Sequence, residues 1–500
     1  MIFDILLNIP LLMIIFFLGI AMTISYYFST KKITFREYAI GDKHLATPYL
    51  VGTVLMTAWG GGALLRMVEQ VPTTGLYWIV LATLAGFHLW IISPLAKRMR
   101  PFMQHLSIAE TIGSVYGPHP RVVAALSGIC FSVVGLAIEI RVMSLAIGMC
   151  TTSTDHQLVA LLAVCALVFY AMFGGIQALT FVNLFQLVMF NLIIPILAWL
   201  MFFKTGNPVA ALLSFAKAHP KFQSSNLFIW DTKFIGMLSL ALAYLVSYIN
   251  PNIMQRIYMC SSSKQAKEAF AYAGQFSLGI TGFIMLIGLC IFVGAPDVPV
   301  TGIWDYVVAD LPADFKGYLI LGLVAITLST GESYVHACSV LAGHDILASL
   351  RGHQKEGVPT SDTESLRVAR KTAVLVGLLA TIVSLYWTDL LALLQLGFSF
   401  SIPIVTAPLL LAIYGFRGTS RTALIGMGVG AVSMVLWNLW VEPRTGIHGS
   451  FFCMIANGLA MLIAHYGMRQ TKGTGWVKPP KRYWKIKTSS GIPRLFFFFF

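Results

Sequence analysis

The stretch Leu55–Met67, LMTAWGGGALLRM, puts three consecutive glycines at the middle of an apolar run long enough to cross a membrane. Each glycine inside a helix costs about 1 kcal/mol relative to alanine, so three together mark a break. A second run, Tyr244–Met254 (YLVSYINPNIM), is interrupted by Asn250, Pro251 and Asn252. Such paired interruptions at corresponding positions of two halves point to an inverted-repeat transporter, whose unwound backbone exposes carbonyls and helix ends near the bilayer midplane. Glycine and proline also serve close packing in membrane helices; finding both breaks together favours the transporter reading.

The surrounding composition sets the solvent. Of 500 residues, 57% are hydrophobic and 11% charged, against about 25% charged in soluble domains, so the chain is an integral membrane protein. Thirteen apolar spans are expected, near 5–28, 47–67, 74–97, 121–149, 157–176, 178–203, 233–254, 268–294, 317–346, 366–387, 389–415, 421–440 and 449–468. Each can cross ~30 Å of hydrocarbon as a helix. The first is preceded by Asp4 rather than a basic segment and exceeds a signal-peptide core in length, so it is expected to be retained.

The net charge of +14 reflects topology and implies no nucleic-acid partner. Lys and Arg alternate by loop. With the N-terminus outside, the cytoplasmic connections carry Lys31, Lys32, Arg36 and Lys43, then Lys97, Arg98 and Arg100, then Arg256, Lys264 and Lys267. Further clusters are Arg351, Lys355, Arg367, Arg370 and Lys371, then Arg417 and Arg421, and the tail from Arg469. The intervening loops are poor in these residues or acidic, as at Asp297, Asp305, Asp310 and Asp314; the loop 204–232 is a partial exception. The positive-inside rule gives N-out, C-in, in a cell inner or plasma membrane. The seven cysteines form no CxxC pair and no His cluster has metal-ligand spacing, and no catalytic constellation stands out, so no enzyme is expected.

Leaving aside the first and the last two spans, ten helices divide into repeat one (47–203) and repeat two (233–415). Residues 1–46 hold the extra N-terminal helix and a cytoplasmic loop, 416–470 two C-terminal helices and 471–500 a basic tail. At this level the chain resembles the sodium:solute symporters, all-α membrane proteins with a LeuT-type five-plus-five inverted repeat. The likeness covers nearly the whole chain. It is carried by YAMFGGIQALTFVNLFQ (170–186), by NIMQRIYMCSSSKQAKEA (252–269) and by ITLSTGESY (326–334).

The resemblance implies a sodium ion, bound as coupling ion by the Ile326 carbonyl, the Ser329 and Thr330 hydroxyls, and the Met56 and Trp59 carbonyls. Spacing agrees, because positions 326, 329 and 330 share one helix face. The alternative is that Ser329 and Thr330 bond back to their own helix. Two departures matter: many relatives carry an Asp where this chain has Ala58, and another where it has Asn183. The resulting neutral site leaves proton-coupled or ion-independent operation open beside sodium.

Intramembrane charge stands elsewhere, at Arg66, Glu69, Glu139, Arg141 and Glu332, and such groups are functional candidates by default. A mutual ion pair of Arg66 with Glu332 or Glu139 that only pins helices together is the alternative. Trp59, Arg66, Glu139, Tyr248 and Glu332 are the expected solute-binding set. Two signs of charge beside aromatic faces suit an amino acid or related zwitterion. The function expected is therefore sodium-coupled symport of such a solute by alternating access. A transporter-like sensor linked to a cytoplasmic signalling partner is the alternative, and a channel ranks below both.

Overall fold

The computed structural model describes residues 9–30, 33–149, 156–205, 210, 214, 218–223, 231–309, 311–352, 361–387, 389–469 and 474–477. Asp4, Lys31, Lys32, Cys150, Lys217, Asp310, Lys355 and most of the 471–500 tail lie outside them. The principal helices are α1 (Ile9–Ser29), α2 (Thr47–Ala58), α3 (Gly61–Thr74), α4 (Pro118–Gly148), α5 (His156–Lys204), α6 (Thr232–Ser247), α7 (Pro251–Tyr258), α8 (Ser263–Gly294), α9 (Ala313–Val340), α10 (Asp362–Tyr386) and α11 (Leu390–Ser401).

Among the described residues, eleven helices are long and apolar enough to cross a membrane, and the bent pair α2–α3 brings the number to twelve. The sequence divides 157–203 into two spans where continuous hydropathy sees one. The chain there forms a 49-residue element interrupted at Gly175, whose φ of 60° and ψ of −173° lie outside the helical range. A straight helix of that length would measure roughly 73 Å, more than twice the ~30 Å of hydrocarbon. A side chain at position 175 would need this positive φ and would also press on Tyr38, which is why glycine holds the break.

Burial separates centre from rim. The most apolar window of the Phe315–Ser349 span is 89% buried, whereas that of the Ser420–Thr445 span is 22% buried. Thus α9 is the central post, packed against α4 and α5, while large apolar side chains such as Phe16, Leu162, Trp199 and Ile463 point outward as a lipid-facing surface requires. Past Val340 the post continues through a π-helical turn, Leu341–Ile346.

Both expected breaks are present. α2 and α3 meet at 58°, and α6 stops at Ser247 before α7 restarts at Pro251. Asn250 holds the second break from both sides: its Oδ1 accepts from the Ile253 amide at 3.0 Å and its Nδ2 donates to the Ser247 carbonyl at 2.9 Å. The asparagine thus caps the new helix as Pro251 starts it.

Candidate functional site

At the first break Trp59 (φ −102°, ψ 108°) and Gly60 (φ −103°, ψ 161°) are extended, so carbonyls at the end of α2 lose the amides a continuing helix would offer. Hydroxyls from α9 reach them instead. Thr330 Oγ1 lies 2.9 Å from the Trp59 carbonyl and 3.3 Å from that of Met56. Ser329 Oγ lies 3.1 Å from the Met56 carbonyl and 2.5 Å from Asn183 Oδ1.

Neighbouring hydroxyls on the same helix take the ordinary course. Thr327 donates to the Val324 carbonyl, Ser333 to Ser329 and Ser339 to Val335. Thr327 and Ser339 thus follow the back-bonding alternative and Ser333 combines a back-bond with contacts to Thr57 and Arg256, whereas Ser329 and Thr330 reach the carbonyls of the first break.

Ile326 stands one turn before Thr330 and is buried. Asn183, also buried, donates through Nδ2 to Thr53 Oγ1 at 3.1 Å. The donor set is thus neutral and oxygen-only, the kind a hard monovalent cation takes when carbonyls of an unwound segment replace its water. Among the described residues no group of three or more His, Cys, Asp or Glu is placed to hold a metal ion.

Between the two breaks lies a cavity of about 100 Å³, with Ala58, Gly60 and Gly62 on one side and Ser247, Tyr248, Asn250 and Asn252 on the other. The Tyr248 hydroxyl donates to the Ala58 carbonyl at 3.2 Å, tying the breaks together. Arg66, Glu139 and Tyr248 line this cavity. The Gly61 amide, at the head of α3, donates to Glu139 Oε2 at 2.9 Å. The three glycines permit this close packing: a Cβ at Gly60 would collide with Glu139, at Gly61 with Thr327 and at Gly62 with Ile138.

Two residues of the expected solute set stand elsewhere. The Trp59 indole donates to Ser277 Oγ at 3.1 Å and packs on Phe190, so Trp59 contributes its carbonyl at the break and not its ring in the cavity. Glu332 is fully buried behind the cavity, within the field of Arg256 and beside the Tyr170 hydroxyl. Spacing of three from Ser329 and four from His336 aims Glu332 near the cation site or the cavity, but it packs on the side of α9 beside Ser329, toward Tyr170 and Arg256, and does not line the cavity. Among the described residues no ion pair joins Arg66 to Glu332 or Glu139.

Arg256 departs furthest from its sequence reading as a loop cation. It is 1% exposed, donating from Nε to Thr57 Oγ1 at 2.9 Å and from a terminal nitrogen to Ser333 Oγ at 2.7 Å. The signal was its position six residues past Asn250, too close to the break to have left the membrane. The aromatic walls Trp78, Phe131, Tyr244, Tyr334 and Phe398 went unrecognised as well; of these Tyr244, four residues before Tyr248, and Tyr334, four residues after Thr330, had a helical-spacing signal.

Two broken helices flanking one cavity, with hydroxyls of a central post closing on the first break, define a secondary transporter of LeuT-type build. The sodium:solute symporter family model matches residues 38–430, and the chain belongs to that family; it is a multi-pass membrane transporter and not an enzyme. It is 23% identical over 499 residues to sodium/proline symporter 2 of Staphylococcus saprophyticus, covering 91% of each chain. It is also 23% identical over 482 residues to the sodium/proline symporter of Staphylococcus aureus, covering 88% of each. In fold it is similar to a Na⁺-coupled sialic acid symporter solved in a substrate-bound outward-open state (TM-score 0.77, 18% identity, 91% of this chain and 96% of that one). A nucleobase-cation-symport-1 family transporter in a closed conformation is more distant (TM-score 0.54, 13% identity, 87% and 94% covered).

Proposed function

We propose that this symporter moves a small amino acid or related zwitterion, proline being the first to test, together with sodium. The observation that carries the reading is the meeting of Ser329 and Thr330 with the Met56 and Trp59 carbonyls, beside a cavity holding Arg66 and Glu139. The names of the staphylococcal relatives support it. Sodium held by Met56, Trp59, Ile326, Ser329 and Thr330 links α2 to α9 and stabilises the outward-facing arrangement. Solute then enters between the breaks, its carboxylate toward Arg66, its amine toward Glu139 and its apolar body against Tyr248. Rocking of the repeats 47–203 and 233–415 carries both inward. Loss of sodium to the cytoplasm unlinks α2 from α9 and releases the solute.

In proteoliposomes an inward sodium gradient is expected to drive proline accumulation. Each tenfold gradient supplies about 1.4 kcal/mol, enough for about tenfold accumulation at one-to-one coupling. Accumulation that ignores sodium and follows a proton gradient would sink the coupling assignment.

The orientation proposed is N-terminus outside and C-terminus cytoplasmic. Asp42 and Ser361 are exposed on two of the basic connections, so Asp42→Cys and Ser361→Cys, each introduced singly, are expected to react with an impermeant maleimide only after the cytoplasmic face is opened. Labelling of either in intact cells would reverse the topology.

A further inference from the structure

Half-helices that begin near the membrane midplane aim their positive N-terminal ends at anionic groups of a substrate. In this protein that seat is taken by the chain itself. The Gly61 amide at the head of α3 donates to Glu139 Oε2 at 2.9 Å, and Glu139 is 5% exposed while lining the cavity. The glycines of the break admit the carboxylate, since a Cβ at Gly60 would collide with Oε1 and one at Gly61 would stand 3.3 Å from Oε2. A solute carboxylate brought to the same place would meet a like charge and find its amide donor engaged. Arg66, five residues along α3, lines the same cavity, and its buried Nε has no hydrogen-bond partner.

We infer that Glu139 is a specificity-determining residue that receives the cationic group of the solute at the break, so that an amine is required for binding and a carboxylate is not. The inference rests on the cavity between the breaks being the solute site. It fixes the solute's orientation, amine to the break and carboxylate, where there is one, to Arg66. It also extends the ligands from amino acids to small cyclic amines lacking an acid.

The test is sodium-dependent binding to the full-length protein in detergent, followed by thermal shift and isothermal titration. Three probes share one ring size: L-proline, L-prolinamide, which keeps the amine without the acid, and tetrahydro-2-furoate, which keeps the acid without the amine. Proline and prolinamide are expected to bind and tetrahydro-2-furoate is not. Glu139→Gln keeps an oxygen for the Gly61 amide but loses the charge, and is expected to weaken both amines about ten- to a hundredfold. Glu139→Asp should recover part of that loss. Stabilisation by sodium without solute reports that each variant is folded. Proline binding while prolinamide does not, with or without tetrahydro-2-furoate, or Glu139→Gln binding proline at wild-type affinity, overturns the inference and leaves the amino acid reading standing. Prolinamide binding alone supports the inference and overturns the zwitterion reading. Binding of none of the three counts against both.

Discussion

The variant carrying both Ser329→Ala and Thr330→Ala loses sodium-driven accumulation, falling to the uptake of vesicles without sodium. The two hydroxyls are the side-chain oxygens that α9 offers to the break, and hydrogen bonds or ligand contacts to charged groups are worth about 1.5–3 kcal/mol each. Losing both weakens sodium by roughly a hundredfold or more. Sodium and solute affinities are linked reciprocally, so the factor by which sodium tightens proline must shrink by the same amount as the factor by which proline tightens sodium. Both are measured by titrating each ligand in the presence and absence of the other. Ser339→Ala is the control, because that hydroxyl is fully buried on the same helix but bonds back to Val335; its sodium response is expected to match wild type. A double variant that keeps wild-type sodium activation removes these oxygens from the site.

That contrast also marks where sequence reading stops. Positions 326, 329 and 330 are readable as one face because helical period fixes them, and both breaks are readable because glycine and the Asn-Pro-Asn triplet alter backbone cost locally. Whether a hydroxyl bonds back or reaches across depends on a neighbouring helix some 270 residues away, as the partners of Ser329 and Thr330 illustrate. Trp59 was legible as backbone and not as side chain: its carbonyl follows from the break, but its ring goes wherever an indole acceptor is found, here Ser277. Glu139 was legible as an intramembrane acid, yet its partner is a backbone amide freed by the break, which no side-chain pairing rule would name. Gly175 was legible only approximately, since hydropathy runs through it and the positive φ is what divides the element.

Removing the Arg256 charge is expected to have the second large effect, this time on stability. Arg256 and Glu332 are 1% and 0% exposed. The guanidinium is satisfied by Thr57 and Ser333, while neither Glu332 oxygen has a hydrogen-bond partner that meets ordinary geometry. The two side chains face each other without touching, as no contact within 4.0 Å joins them among the described residues. Leaving one member of a buried charge pair uncompensated costs about 3–5 kcal/mol, whereas replacing both with apolar groups of similar size is often near neutral. Arg256→Met alone should therefore lower unfolding free energy by about 3 kcal/mol or more, and Glu332→Met should also destabilise by exposing Arg256 to an apolar surround. The double variant should recover part of the loss, giving a coupling energy of about 1–3 kcal/mol in a double-mutant cycle measured by denaturant titration in micelles. If the two losses simply add, the hydroxyls of Thr57 and Ser333 hold Arg256 on their own, and Glu332 is carried as a neutral acid beside Tyr170. The cycle bears on transport as well, because Ser333, which receives Arg256, donates to the Ser329 carbonyl at 3.0 Å. A guanidinium anchored one turn below Ser329 fixes the segment of α9 that must hold the first break, so the variants that fail the stability cycle should lose sodium affinity alongside.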